Sequence, residues 1–281
     1  MILRDRLKKE VAELSDLCTL PATVTRLMEM LGDPDVCIAD VVAVVSADQV
    51  LASRVLKLAN SAFFRRSFPV GTVSDAATYI GLAALRNLTL TVGVMDTLRA
   101  SESGDFDLSR FWRHSFATAL CASRLRALVS TSDIEAYFMA GLLHDVGKVV
   151  LANLYPDVVS LALRDGVLES LPFVEAEGRH FEMGHAEVGA LLARRWCFPD
   201  DLAEVIGNHH GDFFKLSSVG RVVQCADRLA GVYFEREVGP RPELDDKFFE
   251  KAGISRLEFE HAHVGELLNN LQTTAVMLGW F

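Results

Sequence analysis

An all-α fold is predicted for this 281-residue chain on three observations. Apolar residues recur at the i, i+3, i+4, i+7 spacing of one helical face in most windows. No alternating apolar–polar run bounded by hairpin turn signals occurs. Helix start and stop residues punctuate the chain at helix-sized intervals. Half of the residues are hydrophobic, enough to build the core of one large domain or two ordinary ones.

The elements follow in order. Residues 3–14 form a charged amphipathic stretch. Leu20-Pro21 opens a second helix whose apolar face is Val24, Leu27, Met28 and Leu31, and Gly32-Asp33-Pro34 stops it. A third short helix covers 38–46. Asp48 caps the next, which carries Leu51, Val55, Leu56 and Leu58 and ends at Asn60-Ser61-Ala62. Pro69-Val70-Gly71 marks a loop, Ser74 caps residues 75–80, Gly81 punctuates, and a mostly apolar helix fills 82–98. Ser101-Glu102-Ser103-Gly104-Asp105 is the most linker-like segment. It sets a boundary between an N-terminal helical lobe, 1–104, and a second helical domain, 105–281.

In the second domain, helices are expected at about 108–129, 133–152, 185–196, 201–209 and 217–236, with a long amphipathic helix at 255–279. Phe198-Pro199 closes the 185–196 helix, Asp200-Asp201 caps the next, and Gly211 stops it. Residues 157–182, with Gly166, Pro172 and Gly178, read as less regular.

Composition narrows the function classes. The formal net charge is −10, and no basic stripe offsets it, so direct DNA binding is not expected. The five cysteines are scattered and never in a C-x-x-C pair, so they read as reduced core residues of a cytoplasmic protein. No run of about 18 apolar residues suggests a membrane span. Charges of both signs in the first ten residues break a signal-peptide pattern.

The stretch that demands an explanation is Ala140–Val150. It places His144, Asp145 and Lys148 among Leu142, Leu143, Val146, Val149 and Val150. Burying these polar groups costs several kcal/mol unless each is paired or bound to a metal. His114, His185, His209, His210 and Asp227 also fall in predicted helices or at their ends, beside small residues that let helix backbones approach. Five imidazoles and two carboxylates are a ligand set for one or two first-row divalent ions. Iron and manganese are expected first, with zinc, nickel or magnesium as alternatives. A lone His-Asp pair would instead read as a core histidine bonded to a neighbouring carboxylate.

Other candidates are set aside. Glu258-x-x-His261 and Glu260 before His263 read as a solvated helix face, since a di-iron bundle needs more inward glutamates. His180 reads as a loop residue, and Glu177, eight residues before His185, as a partner that orients a metal ligand. Phe63-Phe64, Phe213-Phe214 and Phe248-Phe249 read as core or interface.

His114, then His144-Asp145, then Asp227 resembles the H…HD…D signature of the HD superfamily of metal-dependent phosphohydrolases. With His185 and His209-His210 added, the set is similar to the two-metal arrangement of its HD-GYP branch. That resemblance implies one ion on His114, His144, Asp145 and Asp227, and another on His185, His209 and His210, with Asp145 bridging. Asp145 and Lys148 would be the catalytic residues of such an enzyme, Lys148 facing a phosphate or orienting a bridging hydroxide.

Leu20-Pro21, Gly32-Asp33-Pro34, Ser46-Ala47-Asp48, Leu56–Ser61, Tyr79-Ile80-Gly81 and Gly184–Ala190 through Trp196 resemble landmarks of the HDOD family. The resemblance runs from about residue 14 to 235. It implies an N-terminal helical lobe packed on an HD-like domain, acting as an output module of bacterial signalling without established catalytic activity. A signalling protein would be its partner and a nucleotide or phosphate a further ligand. The Gly-Tyr-Pro triplet of the HD-GYP branch is replaced by Gly211-Asp212-Phe213-Phe214-Lys215, which removes the loop expected to read cyclic di-GMP. The alternative is a metal-dependent phosphohydrolase acting on a nucleotide or cyclic dinucleotide.

Overall fold

The computed structural model describes residues 1–14, 20–30, 36–60, 69–98, 104–126 and 134–233, with 245, 246, 249, 250 and 255. The expected stops at Gly32-Asp33-Pro34 and Ser61-Ala62, the linker core 101–103 and the 255–279 helix beyond Ser255, with Glu258, Glu260, His261 and His263, lie outside them. So do Phe63-Phe64 and Phe248. The described residues are helical and contain no strand, only an isolated bridge between Ile2 and Phe181. None of their helices is long and apolar enough to cross a membrane.

The chain divides into two compact units, Leu17–Leu98 with Asn269–Phe281, and Met1–Asp16 with Arg99–Leu268. The first sixteen residues group with the larger unit.

The smaller unit holds α2 (Ala22–Glu29), α3 (Ile38–Ala47), α4 (Gln49–Ala59), α5 (Val73–Ile80) and α6 (Leu82–Thr97). α6 packs against α2, α4 and α5, and Val24, Leu27, Val41, Val45, Val55 and Leu85 are buried. Asp48 caps α4 through Val50 and Leu51, as its residue type predicts. α5 is capped by Thr72, whose hydroxyl accepts from the Asp75 N–H. The expected cap, Ser74, lies inside that helix. Asn60, at the end of α4, uses both ends of its amide on Val70: Nδ2 donates to the carbonyl at 2.9 Å, and Oδ1 accepts from the N–H at 2.7 Å.

The larger unit contains α1 (Arg4–Glu13), α7 (Leu108–Leu125), α8 (Ile134–Leu143), α9 (Gly147–Leu154), α10 (Pro156–Glu169), α11 (Phe173–Glu177), α12 (His185–Arg195), α13 (Asp200–Asn208) and α14 (Ser218–Tyr233). α7 packs on α8 and α14, and α12 on α9 and α13. α1 is fastened beside α12: the Ile2 N–H donates to the His180 carbonyl, Arg4 pairs with Glu187, and Arg195 donates to the carbonyls of Ala12 and Leu14.

Two stretches differ from the periodicity reading. The helix expected at 133–152 is broken at 144–146, where His144-Asp145-Val146 form a turn between α8 and α9. The 157–182 stretch is largely helical, because Pro156 starts α10 at its first turn and Pro172 precedes α11. The cysteines also divide. Cys121 and Cys225 are buried, whereas Cys37 and Cys197 are exposed; Cys18 lies outside the described residues.

Candidate metal centre

Helix ends build this site. A helix leaves its last carbonyls without intrahelical partners. His144 directly follows α8, and its Nδ1 lies 2.8 Å from the Gly141 carbonyl; His209 directly follows α13, with Nδ1 2.7 Å from the Ile206 carbonyl. A carbonyl only accepts, so each Nδ1 carries the proton and donates. Each neutral ring is then left with a bare lone pair on Nε2. His185 is the first residue of α12, behind Gly184, which has no side chain to cap the helix. The carboxylate of Glu177, at the end of α11, takes that role. Both of its oxygens lie 3.1 Å from the His185 backbone N–H, and Oε1 is 2.6 Å from His185 Nδ1. Glu177 is 1 % exposed, so the contact is made away from water, where it is strong.

Close helix approach brings these ends together. A Cβ on Gly147 would overlap the His185 carbonyl oxygen and sit 2.7 Å from the Gly189 nitrogen. Only glycine allows α9 to lie this close to α12, and with it Asp145 to reach His185. A Cβ on Gly141 would likewise meet the Ala119 Cα at 2.7 Å, so α8 lies directly on α7, which carries His114.

The donor atoms converge in two groups, Asp145 with His185, His209 and His210, and His114 with His144 and Asp227. In the first, His185 Nε2 is 3.0 Å from Asp145 Oδ1, 3.0 Å from His210 Nε2 and 3.4 Å from His209 Nε2. In the second, His114 Nε2 is 3.0 Å and His144 Nε2 3.9 Å from Asp227 Oδ1. Asp145 lies between the groups. Its Oδ2 is 3.3 Å from His144 Nε2 and 2.7 Å from Lys148 Nζ. The Lys148 ammonium also sits 5.3 Å over the Phe173 ring. His114, His144, Asp145, Lys148, His185 and His209 are buried, Asp227 is partly buried and His210 is exposed.

The buried charged groups act on one another more strongly than burial acts on them. Burial works against the charged form of Asp145, but His144, Lys148 and His185 outweigh it and hold its pKa well below the usual carboxylate range. Burial also opposes charge on His185, yet Glu177 and Asp145 raise it to about 9. His144 is raised in the same way by Asp145 and Asp227. Burial lowers His209; burial and the neighbouring imidazoles of His209 and His185 lower His210.

The donor set fits a divalent ion. His144 Nε2 and Asp145 Oδ1 are buried and make no hydrogen bond, an expensive state for such atoms. Cis ligands each about 2.1 Å from one ion stand about 3.0 Å apart, which is the His185–Asp145 and His185–His210 spacing. Nitrogen and carboxylate donors of this kind suit first-row divalent metals.

Every proposed site residue lies in this cluster or touches it. His180 lies apart, paired with Asp165 at 2.9 Å. Sequence reasoning missed the Gly141 and Ile206 carbonyls, Phe173, and Gln224, whose Nε2 donates to the carbonyls of His209 and Gly211 and holds the double-histidine turn against α14. A histidine placed just past a helix end was the available signal for the carbonyls. Phe213 is buried, while Phe214 beside it is 75 % exposed.

Known proteins agree with this architecture. An HDOD domain protein of unknown function from Geobacter sulfurreducens superimposes with a TM-score of 0.79 at 27% identity, over 98% of this chain and 97% of that one. A candidate phosphohydrolase from Shewanella amazonensis superimposes at 0.73 and 26% identity, over 97% and 96%. An uncharacterized protein of Treponema pallidum is 31% identical over 70% of this chain, and ribonuclease Y of Mycoplasma genitalium 28% identical over 59%. The matched stretch spans only 38% of the first of these relatives and 26% of the second. The HDOD domain profile matches residues 17–211, taking in five helices of the smaller unit together with the histidine cluster from His114 to His210, so the chain belongs to the HDOD family.

Proposed function

We propose that the chain is a signal-output module of the HDOD type whose larger unit carries a divalent-metal centre. One observation carries the metal reading: His144, His185 and His209 have Nδ1 engaged by Gly141, Glu177 and Ile206, so their Nε2 atoms converge on Asp145. His114, His144, Asp145, His185, His209, His210 and Asp227 would hold the metal, with Glu177 orienting His185. The net charge of −10 favours protein partners over DNA. A nucleotide or phosphate is a further candidate ligand, and iron or manganese the first candidates for the ion.

A second reading, a phosphohydrolase, draws on Lys148 and on the likeness to the candidate phosphohydrolase from Shewanella amazonensis. Bound metal would supply an activated water and neutralise charge on a phosphodiester. In that reading Lys148, fixed by Asp145, faces the phosphate, and the exposed His210 and partly buried Asp227 mark the side from which a substrate enters. One experiment separates the readings. The protein is purified anaerobically, its metal content is measured, and it is assayed with cyclic dinucleotides and a generic phosphodiester beside a His144→Ala, Asp145→Ala control. Bound metal without turnover supports the output module. Turnover lost in the control supports the hydrolase.

A further inference from the structure

We infer that Gln224 is a positioning residue of the metal centre: by holding the backbone on both sides of His210, it sets where that imidazole meets the ion. The inference rests on the metal-binding reading above. It adds a residue that touches no ion and acts through one that does.

His210 is the ligand of its group that lacks an anchor of its own. His185 is held through Nδ1 by Glu177 at 2.6 Å, His209 through Nδ1 by the Ile206 carbonyl at 2.7 Å, and Asp145 by Lys148 at 2.7 Å. The hydrogen-bonding contact of His210 is instead with a fellow ligand, His185 Nε2, at 3.0 Å. Once both Nε2 lone pairs point at one ion, that contact no longer fixes either ring. His210 is also exposed, and the rings beside it are those of His185 and His209. Placing this imidazole therefore falls to its backbone.

That backbone is clasped from α14. Residues Asn208 to Gly211 close a turn, the Gly211 N–H donating to the Asn208 carbonyl at 2.7 Å. Gln224 Nε2 donates to the His209 carbonyl at 3.0 Å and to the Gly211 carbonyl at 3.1 Å. Carbonyls only accept, so the amide presents its nitrogen, and both of its N–H groups are spent on this turn. One of the two carbonyls precedes His210 and the other follows it. The clasp stands on a packed base: Val223, next to Gln224, is buried with Val205 of α13 and Ala140 of α8. α13 and α14 are thus joined by apolar packing before the turn and by Gln224 at the turn itself. Without the amide the turn keeps its internal bond and His209 keeps its Ile206 anchor, so the loss falls on His210. Losing a partner that orients a ligand typically costs 10–100-fold in metal affinity.

The test is a cobalt(II) titration of the full chain stripped by a chelator, read by visible absorption, which reports coordination geometry. It is run on a double-mutant cycle of Gln224→Met and His210→Ala. Methionine keeps the length and bulk of glutamine and removes both donors. His210→Ala identifies the binding phase to which His210 contributes. Gln224→Met should weaken that phase by about 10–100-fold and show the altered absorption of His210→Ala in place of the wild-type spectrum. In the His210→Ala background it should change neither affinity nor spectrum. Gln224→Glu has the same shape but turns an acceptor toward the two carbonyls, and should repeat the loss if the methionine variant does not fold. Wild-type affinity and spectrum in the Gln224 variants, or an equal fold loss with and without His210, would overturn the positioning role. Absence of bound cobalt in the wild type would overturn the metal reading beneath it as well.

Discussion

Gly147→Ala tests whether close approach of α9 and α12 assembles the site. The added Cβ would overlap the His185 carbonyl oxygen and lie 2.8 Å from the His185 carbonyl carbon and 2.7 Å from the Gly189 nitrogen. Ordinary contact begins near 3.4 Å, so α9 must retreat by at least about 0.7 Å, against backbone rather than a flexible side chain. Overpacking of this kind costs typically 1–3 kcal/mol, and the upper end applies because no rotamer relieves it. In a domain of this size that corresponds to a melting temperature lower by about 6–12 °C. The same retreat carries Asp145, two residues away, from His185 and His209, so manganese retained after desalting should fall as well. Gly178→Ala is the control. Its Cβ would meet nothing nearer than 3.5 Å on helical backbone, so stability should hold or rise by about 0.4–1 kcal/mol. A Gly147→Ala protein with wild-type melting and wild-type metal content would refute the reasoning.

Further outcomes follow from the same geometry. Glu177→Gln removes the charge behind His185 and should weaken metal retention by about 10–100-fold; retention equal to the wild type, read by metal analysis, would count against Glu177 as the orienting residue. In the metal-free protein His185, raised to about 9, contributes stability that is fully present below its unfolded value near 6.5 and is lost as pH rises through 9, on the order of 3 kcal/mol. His209, which is buried and lowered by that burial, removes stability as pH falls below about 6.5. Urea midpoints should therefore decline on both sides of about pH 6.5, and a flat profile from pH 7 to 9 would contradict the first of these signs. Asn60→Ala deletes both hydrogen bonds to Val70 and should cost about 1–3 kcal/mol, read as an earlier urea transition.

Residue type made the ligand set legible, and geometry did not. Histidines and aspartates among Leu142, Leu143, Val146 and Val149 can only be tolerated if they meet partners, so the cluster followed from the cost of burial. The turn at 144–146 was hidden because those apolar residues run unbroken across it, and Gly147 acts through the backbone of a distant helix. α10 and α11 were hidden by Pro156 and Pro172, read as breakers although each sits at a helix start, where proline is tolerated. The carbonyl anchors of His144 and His209 depend on where α8 and α13 stop, and helix ends are the least certain part of any sequence pattern. Thr72 and Ser74 are chemically equivalent caps, so only the backbone chose between them.

The most direct test of the central claim is thermal melting of the chelator-stripped chain with and without manganese(II), beside Asp145→Ala. At an ion concentration near 100 times the dissociation constant, wild-type stability should rise by about 2.7 kcal/mol, or about 5–10 °C, and Asp145→Ala should gain nothing. Equal melting of the wild type with and without the ion would contradict a cation site built from these side chains.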